Sequence, residues 1–213
     1  MKRIQVVLLL FAIVPMFAIT KAIADNNNQP KTSKFVYHGA GNPYLPLWEH
    51  LPDGEPRVFE DPDNPGKFRA YIIGSHDVRF GSYCGPDIRM WAAPVEDLSS
   101  WRDEGAIFTY QVEGQWDVMY APDLVEVKRK DGTKEYYLYP HSRGRDREAM
   151  VAKGSRPDGP FTPINLTADG TKTLPGSILG FDPSVYIEYI TDPNDPDYAL
   201  KAARRHYMYP NHD

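Results

Sequence analysis

A proline-containing corner that occurs three times along the chain is the feature that most constrains its fold. The corners are Gly54-Glu55-Pro56, Ala121-Pro122-Asp123 and Asp182-Pro183-Ser184, and each leads into a short β-branched or aromatic run. Such runs favour β-strands, and proline is tolerated at the first residue of a strand. The prolines are 122 − 56 = 66 and 183 − 122 = 61 residues apart. We therefore predict one supersecondary unit that is used three times.

A second strand-like segment follows each corner and places a tyrosine five residues before a histidine. The three pairs are Tyr71 and His76, Tyr136 and His141, and Tyr207 and His212. Because the histidines recur at one place in each repeat, we favour a structural role for them. The alternative is that one of them faces a central channel as a sugar or metal ligand.

Turn-forming residues divide each unit into short strands. The first unit, about 54–110, has predicted strands at 56–59, 68–74, 89–93 and 105–110. The second unit, about 119–164, has a predicted hairpin turn at Asp131-Gly132 and a third strand at 149–153, and the third unit begins at 181. Four strands per repeat are typical of β-propeller blades, which close into rings of four to eight. We therefore expect two blades and part of a third.

The first 24 residues have the pattern of a secretory signal peptide. Lys2 and Arg3 precede an apolar run at 4–19, and Ala22-Ile23-Ala24 resembles a cleavage site. An uncleaved membrane anchor is less favoured, because the run is short and contains Pro15. We predict export to the periplasm or the extracellular space without stable membrane insertion after cleavage, and a polar linker at 25–35.

The charge of the chain gives no reason to expect a nucleic-acid partner. Its formal net charge is −5, and loss of Lys2, Arg3 and Lys21 with the predicted signal peptide would make it −5 − 3 = −8. No extended lysine- and arginine-rich segment interrupts this acidity, because the short run Lys128-Arg129-Lys130 lies between Glu126 and Asp131. Cys84 is the single cysteine, so no intramolecular disulfide can form and we expect it to be buried.

Taken together, the motifs resemble glycoside hydrolase family 43. The resemblance covers about 36–198 and rests on the three corners, the lead-in Asn42-Pro43-Tyr44-Leu45-Pro46 and the segments Tyr120-Ala121-Pro122-Asp123 and Phe181-Asp182-Pro183-Ser184-Val185. It implies an all-β, five-bladed β-propeller, of which 36–213 would form about two and a half blades. It also implies a hydrolase that cleaves arabinosyl or xylosyl groups from oligo- or polysaccharides with inversion.

The resemblance further implies three acidic residues at the active site. Inversion needs one carboxylate that deprotonates water and one carboxylic acid that protonates the leaving oxygen. A third carboxylate raises the pKa of that acid by like-charge repulsion. Glu55 falls at the position of the family's general base, and Asp182 matches its pKa-modulating aspartate. The family's general acid has no counterpart in this chain, because Glu188 lies on the strand that Asp182 begins and is interpreted as an ordinary strand residue.

Glu55 departs from the family pattern, in which the base is an aspartate. One alternative is that Glu55 pairs with Arg57 and that the base is lost or lies at Asp53 or Asp61. For Asp182, the alternative is a backbone cap of the strand corner.

Three further residues are candidates for substrate binding. Asp123 occupies a corner that in the family is structural or substrate-contacting. His76 is a candidate if it faces the central channel and contacts the sugar. Trp48 could stack on a sugar ring, although a core position is favoured. No metal ligand and no required cofactor are predicted, and a structural calcium ion stays open. A catalytically inactive sugar-binding protein, or a non-functional fragment lacking the general acid, is the alternative to a glycosidase.

Overall fold

The computed structural model describes residues 34–39, 44–78, 83–129, 131–177 and 182–195, and the backbone of 204–208. The predicted signal peptide, most of the linker, Asn42-Pro43, Gly180-Phe181 and His212 lie outside these residues. Within the described residues no helix is long and apolar enough to cross a membrane.

The first sheet is an antiparallel meander that matches the first predicted unit. Its strands in spatial order are β1 (Val36–His38), β5 (Ser100–Thr109), β4 (Asp87–Pro94), β3 (Phe68–Ser75) and β2 (Glu55–Glu60). The four predicted strands are confirmed. β1, which pairs with the outer edge of β5, was not predicted, because three residues are too few to show the alternation that identifies a strand.

A second antiparallel meander follows the first. It consists of β8 (Asp123–Lys128), β9 (Lys134–Tyr139), β10 (Ala152–Gly154) and β11 (Thr162–Pro163). The predicted hairpin turn at Asp131-Gly132 is confirmed, and Gly132 has φ 85°, which favours glycine. The predicted third strand begins at Ala152 rather than at 149, because the preceding residues follow a short 3₁₀ helix at Arg145–Arg147.

Two smaller hairpins complete the described structure. β6 (Gln111–Val112) pairs with β7 (Gln115–Trp116), and β12 (Val185–Tyr189) pairs with β13 (Arg204–Met208). The second of these contains the two predicted strands of the third unit. The described part of the chain is therefore all-β, with antiparallel sheets and without an α-helix.

The sheets pack face to face in the order in which they occur along the chain. Ile73 and Met90 of the first sheet share one apolar cluster with Leu124 and Leu138 of the second sheet, and all four are 0% exposed. A smaller cluster joins the second sheet to Val185 of β12. This stacking brings the first strands of the three units together, because β8 contacts both β2 and β12. The corners that begin these strands consequently lie side by side.

A third apolar cluster lies on the opposite face of the first sheet. Trp91 alternates along β4 with Met90, so its side chain points away from the second sheet. It packs with Trp101 of β5, and the partly buried Leu51 covers the cluster. The lead-in segment before β2 is thereby held against the first sheet.

Candidate active site

A buried aspartate connects the three proline corners. Asp123 begins β8, is 1% exposed and accepts hydrogen bonds from the backbone N–H groups of Leu124 and Val185, each at 2.6 Å. Its other partner is Arg57 of β2, whose guanidinium also donates to the Leu124 carbonyl at 3.0 Å. Asp123 therefore binds the first and third units as well as its own strand. Its carboxylate faces protein donors rather than solvent.

Asp182 and His141 form a second contact between units. The Asp182 Oδ1 atom lies 3.3 Å from His141 Nδ1, and the Asp182 side chain is 35% exposed whereas His141 is 1% exposed. His141 follows the end of β9, and Asp182 precedes Pro183 at the corner before β12. The pair thus joins the second sheet to the third unit and leaves one carboxylate open to solvent.

Left-handed backbone conformations are concentrated around this pair. The described non-glycine residues with positive φ are Asp53 (55°), Cys84 (59°), Glu113 (50°), His141 (45°) and Asp182 (48°). Glu113 has an ordinary explanation, because it forms the β6–β7 turn with Gly114. Among the other four, Asp53 and Asp182 each lie close enough to both Cys84 and His141 for their negative charges to raise the pKa of these two groups. Backbone strain of this kind is concentrated at functional sites, which favours a functional role for this region.

The pKa values of His141 and Cys84 are affected by the same two aspartates. Burial lowers the pKa of the His141 imidazole, and the negative charges of Asp182 and Asp53 are among those that oppose this shift. Burial raises the pKa of the Cys84 thiol, and the charges of Asp53 and Asp182 raise it further. Asp53 and Asp182 therefore act on the same two side chains from different units. The prediction that Cys84 is buried is confirmed.

The three candidates for a carboxylate base in the first unit differ in their surroundings. Glu55 pairs with Arg57, as the alternative interpretation proposed. Asp61 is 3% exposed and accepts hydrogen bonds within its turn and from Arg69 at 2.7 Å. Asp53 is exposed and accepts a hydrogen bond from the Ser75 hydroxyl at 3.1 Å. Of the three, Asp53 is the one whose charge acts on His141.

Two tyrosines extend the site towards solvent, and the sequence reasoning did not identify them. The Tyr120 ring contacts His141 edge-on with centroids 5.2 Å apart. Tyr83 stacks on Tyr120 at 6.1 Å with an interplanar angle of 20°, and it is 74% exposed. Because Tyr83 directly precedes the left-handed Cys84, its position depends on a backbone conformation that has no clear sequence signal.

His76 lies in the framework of the first sheet. Its Nδ1 atom lies 3.0 Å from Asp87 of β4, and its Nε2 atom lies 3.7 Å from the buried carboxylate of Glu49. Glu49 also accepts a hydrogen bond from the Trp91 indole at 2.6 Å. The partners of His76 are thus acidic groups that are themselves part of a packed network.

Trp48 is 58% exposed, so the prediction of a core position is wrong. Its ring contacts Phe35 and Trp91, each with centroids 6.0 Å apart, and leaves the remaining surface in water. The reason is that Trp91 already fills the interior position on this face of the first sheet.

Among the described residues, no group of three or more histidine, cysteine, aspartate or glutamate side chains could hold a metal ion. The question of a structural calcium ion stays open.

The chain is similar to part of a named hydrolase. It is 39% identical over 158 residues to a protein from Thermoclostridium stercorarium named "Xylosidase/arabinosidase". The match covers 69% of this chain, and the chain spans 30% of the length of that relative. No protein-family model matches the chain, and no solved structure matches it. The similarity therefore connects most of this all-β chain to a segment of a protein that is named for glycosidase activity.

Proposed function

We propose that this chain carries part of the active site of an exported, inverting glycoside hydrolase of the family 43 type, which acts on arabinosyl or xylosyl groups of oligo- or polysaccharides. The observation that carries the proposal is the solvent-open Asp182 carboxylate beside the buried His141, at the point where four strained residues gather. The name of the relative supports the choice of sugar. A five-bladed propeller and a cleaved signal peptide belong to the same proposal.

In the proposed mechanism, Asp182 acts through its negative charge. A carboxylate beside a general acid disfavours ionisation of that acid and keeps it protonated near neutral pH. His141 holds the Asp182 side chain in place, because burial keeps the imidazole neutral and its Nδ1 atom lies within reach of the carboxylate. Asp182 therefore lowers the barrier to departure of the leaving group without itself transferring a proton.

The general base comes from the first unit, and two lines of evidence favour different residues for this role. The resemblance points to Glu55, whereas the geometry favours Asp53. Arg57 pairs with Glu55, so this carboxylate is already engaged by a cation of its own strand. Asp53 is exposed and shares its neighbours with Asp182. We assign the deprotonation of water to Asp53.

The proposed role of Asp182 in leaving-group departure is tested with two substrates whose leaving groups differ. Turnover of an unactivated arabino- or xylo-oligosaccharide and of the matching 4-nitrophenyl glycoside is measured for a full-length enzyme that contains this chain together with a general acid, and for its Asp182→Asn variant. We expect the variant to lose about 100-fold or more in kcat/KM on the oligosaccharide. The loss on the nitrophenyl glycoside should be smaller, because its leaving group needs little protonation.

The matched control is Asp87→Asn, because Asp87 pairs with His76 as Asp182 pairs with His141. This control should retain turnover within about 3-fold, an effect expected of a residue outside the chemistry. Unchanged turnover of the oligosaccharide by Asp182→Asn would remove the assignment.

The base is tested by comparing Asp53→Asn with Glu55→Gln on the same two substrates. Loss of a base slows attack by water whatever the leaving group, so Asp53→Asn should lower both rates by a similar factor of about 100. Glu55→Gln should have a smaller effect on both. The opposite ranking would return the base to Glu55.

A sugar-binding function without hydrolysis is favoured by one observation, the exposed ring of Tyr83 on Tyr120 beside the site. Flat exposed aromatic rings offer apolar surface on which a sugar can stack. Calorimetric titration of the chain with the oligosaccharide, together with Tyr83→Ala and the control Trp116→Ala, tests this function. Binding that requires Tyr83, without turnover, would support it over the hydrolase.

A further inference from the structure

Asp123 is bound by donors from all three units. One of its oxygens, Oδ1, accepts from the Leu124 N–H and from Arg57, while Oδ2 accepts from the Val185 N–H. Arg57 extends this arrangement to the first corner, because the same guanidinium pairs with Glu55. We call the series Glu55, Arg57, Asp123 and the Val185 N–H the corner strut. It is a continuous polar connection across β2, β8 and β12.

The corner strut ends three residues after Asp182. Val185 is the first residue of β12, and its side chain packs with Val125 and Tyr139 of the second sheet. Pro183, with its fixed φ, lies between Asp182 and Val185 and reduces the freedom of the short connection between them. The hydrogen bond from the Val185 N–H to Asp123 therefore limits where the corner that carries Asp182 can lie relative to the start of β12.

The chemistry of this position requires a carboxylate. Three N–H donors converge on Asp123, and an ionised carboxylate is a pure acceptor that satisfies all of them. In asparagine one oxygen is replaced by an NH₂ group, which cannot accept. Asp123→Asn must consequently lose either the Val185 N–H or the Arg57 and Leu124 donors.

From this geometry we propose that Asp123 is a positioning residue for Asp182, holding the third corner so that the Asp182 carboxylate stays against His141. The proposal rests on the proposed function in one respect, which is that Asp182 acts in hydrolysis. The placement of Asp182 by Asp123 can be tested without any substrate.

The test is an NMR titration of the His141 ring protons in the whole chain. Among the described residues, the groups that face His141 include Asp182, Glu148, Asp53 and the Tyr120 ring. Asp182→Asn should lower the His141 midpoint by about one pH unit, the lower end of what an adjacent charge does. Asp123→Asn should lower it in the same direction by at least half as much, since displacement of Asp182 removes the same charge.

Glu55→Gln is the matched control, because it removes one negative charge from the corner strut without touching Val185. It should leave the His141 midpoint unchanged. A midpoint that moves with Asp182→Asn but not with Asp123→Asn would overturn the proposal. So would a midpoint that does not respond to Asp182→Asn.

A second variant covers the case in which Asp123→Asn does not fold. Val185→Pro removes the N–H that Asp123 holds and leaves the pair with Arg57 in place, and proline is tolerated at the first residue of a strand. Near-UV circular dichroism checks the fold of each variant. If Val185→Pro folds and shifts the His141 midpoint, the proposal holds. Loss of the fold in both variants would overturn it, because Asp123 would then serve folding in general.

Kinetics separate this proposal from the proposed function. In the full-length enzyme, Asp123→Asn should lower kcat on the oligosaccharide by about 10-fold with KM nearly unchanged, as for an interaction that acts in the transition state. If the full-length enzyme does not hydrolyse the oligosaccharide, the proposed function fails, and the His141 titration still decides whether Asp123 positions Asp182.

Discussion

His76 and His141 occupy the same place in two successive sheets but have opposite environments. Each follows a buried tyrosine by five residues, at the end of β3 or β9. The hydrogen bond to Asp87 raises the pKa of His76, whereas burial lowers the pKa of His141. The aspartate partner of His76 comes from the same sheet, and that of His141 comes from the next unit.

The difference shows how a repeated unit acquires a site. Within the first sheet, the histidine and its aspartate form a framework together with the buried Glu49. At the junction between units, the same position meets Asp182, which is partly exposed and has a strained backbone. The contact between units, His141 with Asp182, places a carboxylate at an open surface. The contact within one sheet, His76 with Asp87, does not. The following predictions test whether this contrast holds.

The largest effect is expected on stability at the His76 position. The Glu49 side chain is 1% exposed and holds the Trp91 indole and, at 3.2 Å, the Arg89 guanidinium. Glu49→Ala should lower the free energy of unfolding by about 1–3 kcal/mol, because it leaves the buried Trp91 indole N–H without its acceptor, while Arg89 keeps its pair with Asp103. Urea unfolding measures this.

Asp182→Asn provides the comparison in the same urea experiment. The Asp182 side chain is 35% exposed, and a polar contact that solvent reaches contributes about 1 kcal/mol or less. Equal destabilisation by Glu49→Ala and Asp182→Asn would remove the distinction between a framework and a site.

The second effect is on turnover. His141 has φ 45°, a conformation that asparagine adopts readily, so His141→Asn removes the imidazole with little change in the backbone. We expect kcat on the oligosaccharide to fall by about 10-fold to 100-fold, because Asp182 loses the group that orients it. His76→Asn is the control and should change kcat by less than about 3-fold. A larger loss with His76→Asn would contradict the account.

The smallest effect is a pH dependence of stability with opposite signs at the two positions. The pKa of His76 is raised, so its contribution is complete below about pH 6.5, the ordinary histidine value, and is lost as the pH rises through its folded-state pKa. The pKa of His141 is lowered, so its contribution is present above about pH 6.5 and is lost as the pH falls through its folded-state pKa.

Urea unfolding at pH 5.5 and pH 8 measures this contrast. His76→Asn should cost more stability at the lower pH, and His141→Asn should cost more at the higher pH. The same sign for both variants would show that the two environments do not differ as described.

The sequence predicted the strands that carry these two histidines. The repeated corners identified β2, β8 and β12, and the tyrosine–histidine spacing identified β3 and β9, because both signals come from residues close together in the chain. The short strand β1 and the β6–β7 hairpin were missed, since two or three residues carry no measurable periodicity.

The site was predicted less completely than the fold. Asp182 and Asp123 were selected from their motifs, but the contact of Asp182 with His141 and the three partners of Asp123 depend on how the units stack. The contrast between Asp53 and Glu55 depends on a left-handed backbone at Asp53 and on the direction of Arg57. Neither is determined by local sequence, because most aspartate residues have negative φ and the packing around a residue decides where positive φ is adopted.

The most direct measurement is one NMR titration that follows His76 and His141 together in the unaltered chain and in Asp182→Asn. We expect a midpoint above the ordinary histidine value for His76 and below it for His141. The substitution should lower the His141 midpoint and leave that of His76 unchanged. Equal midpoints, or an Asp182→Asn variant in which neither histidine responds, would contradict the claim that the junction with Asp182 is what distinguishes the site from the framework.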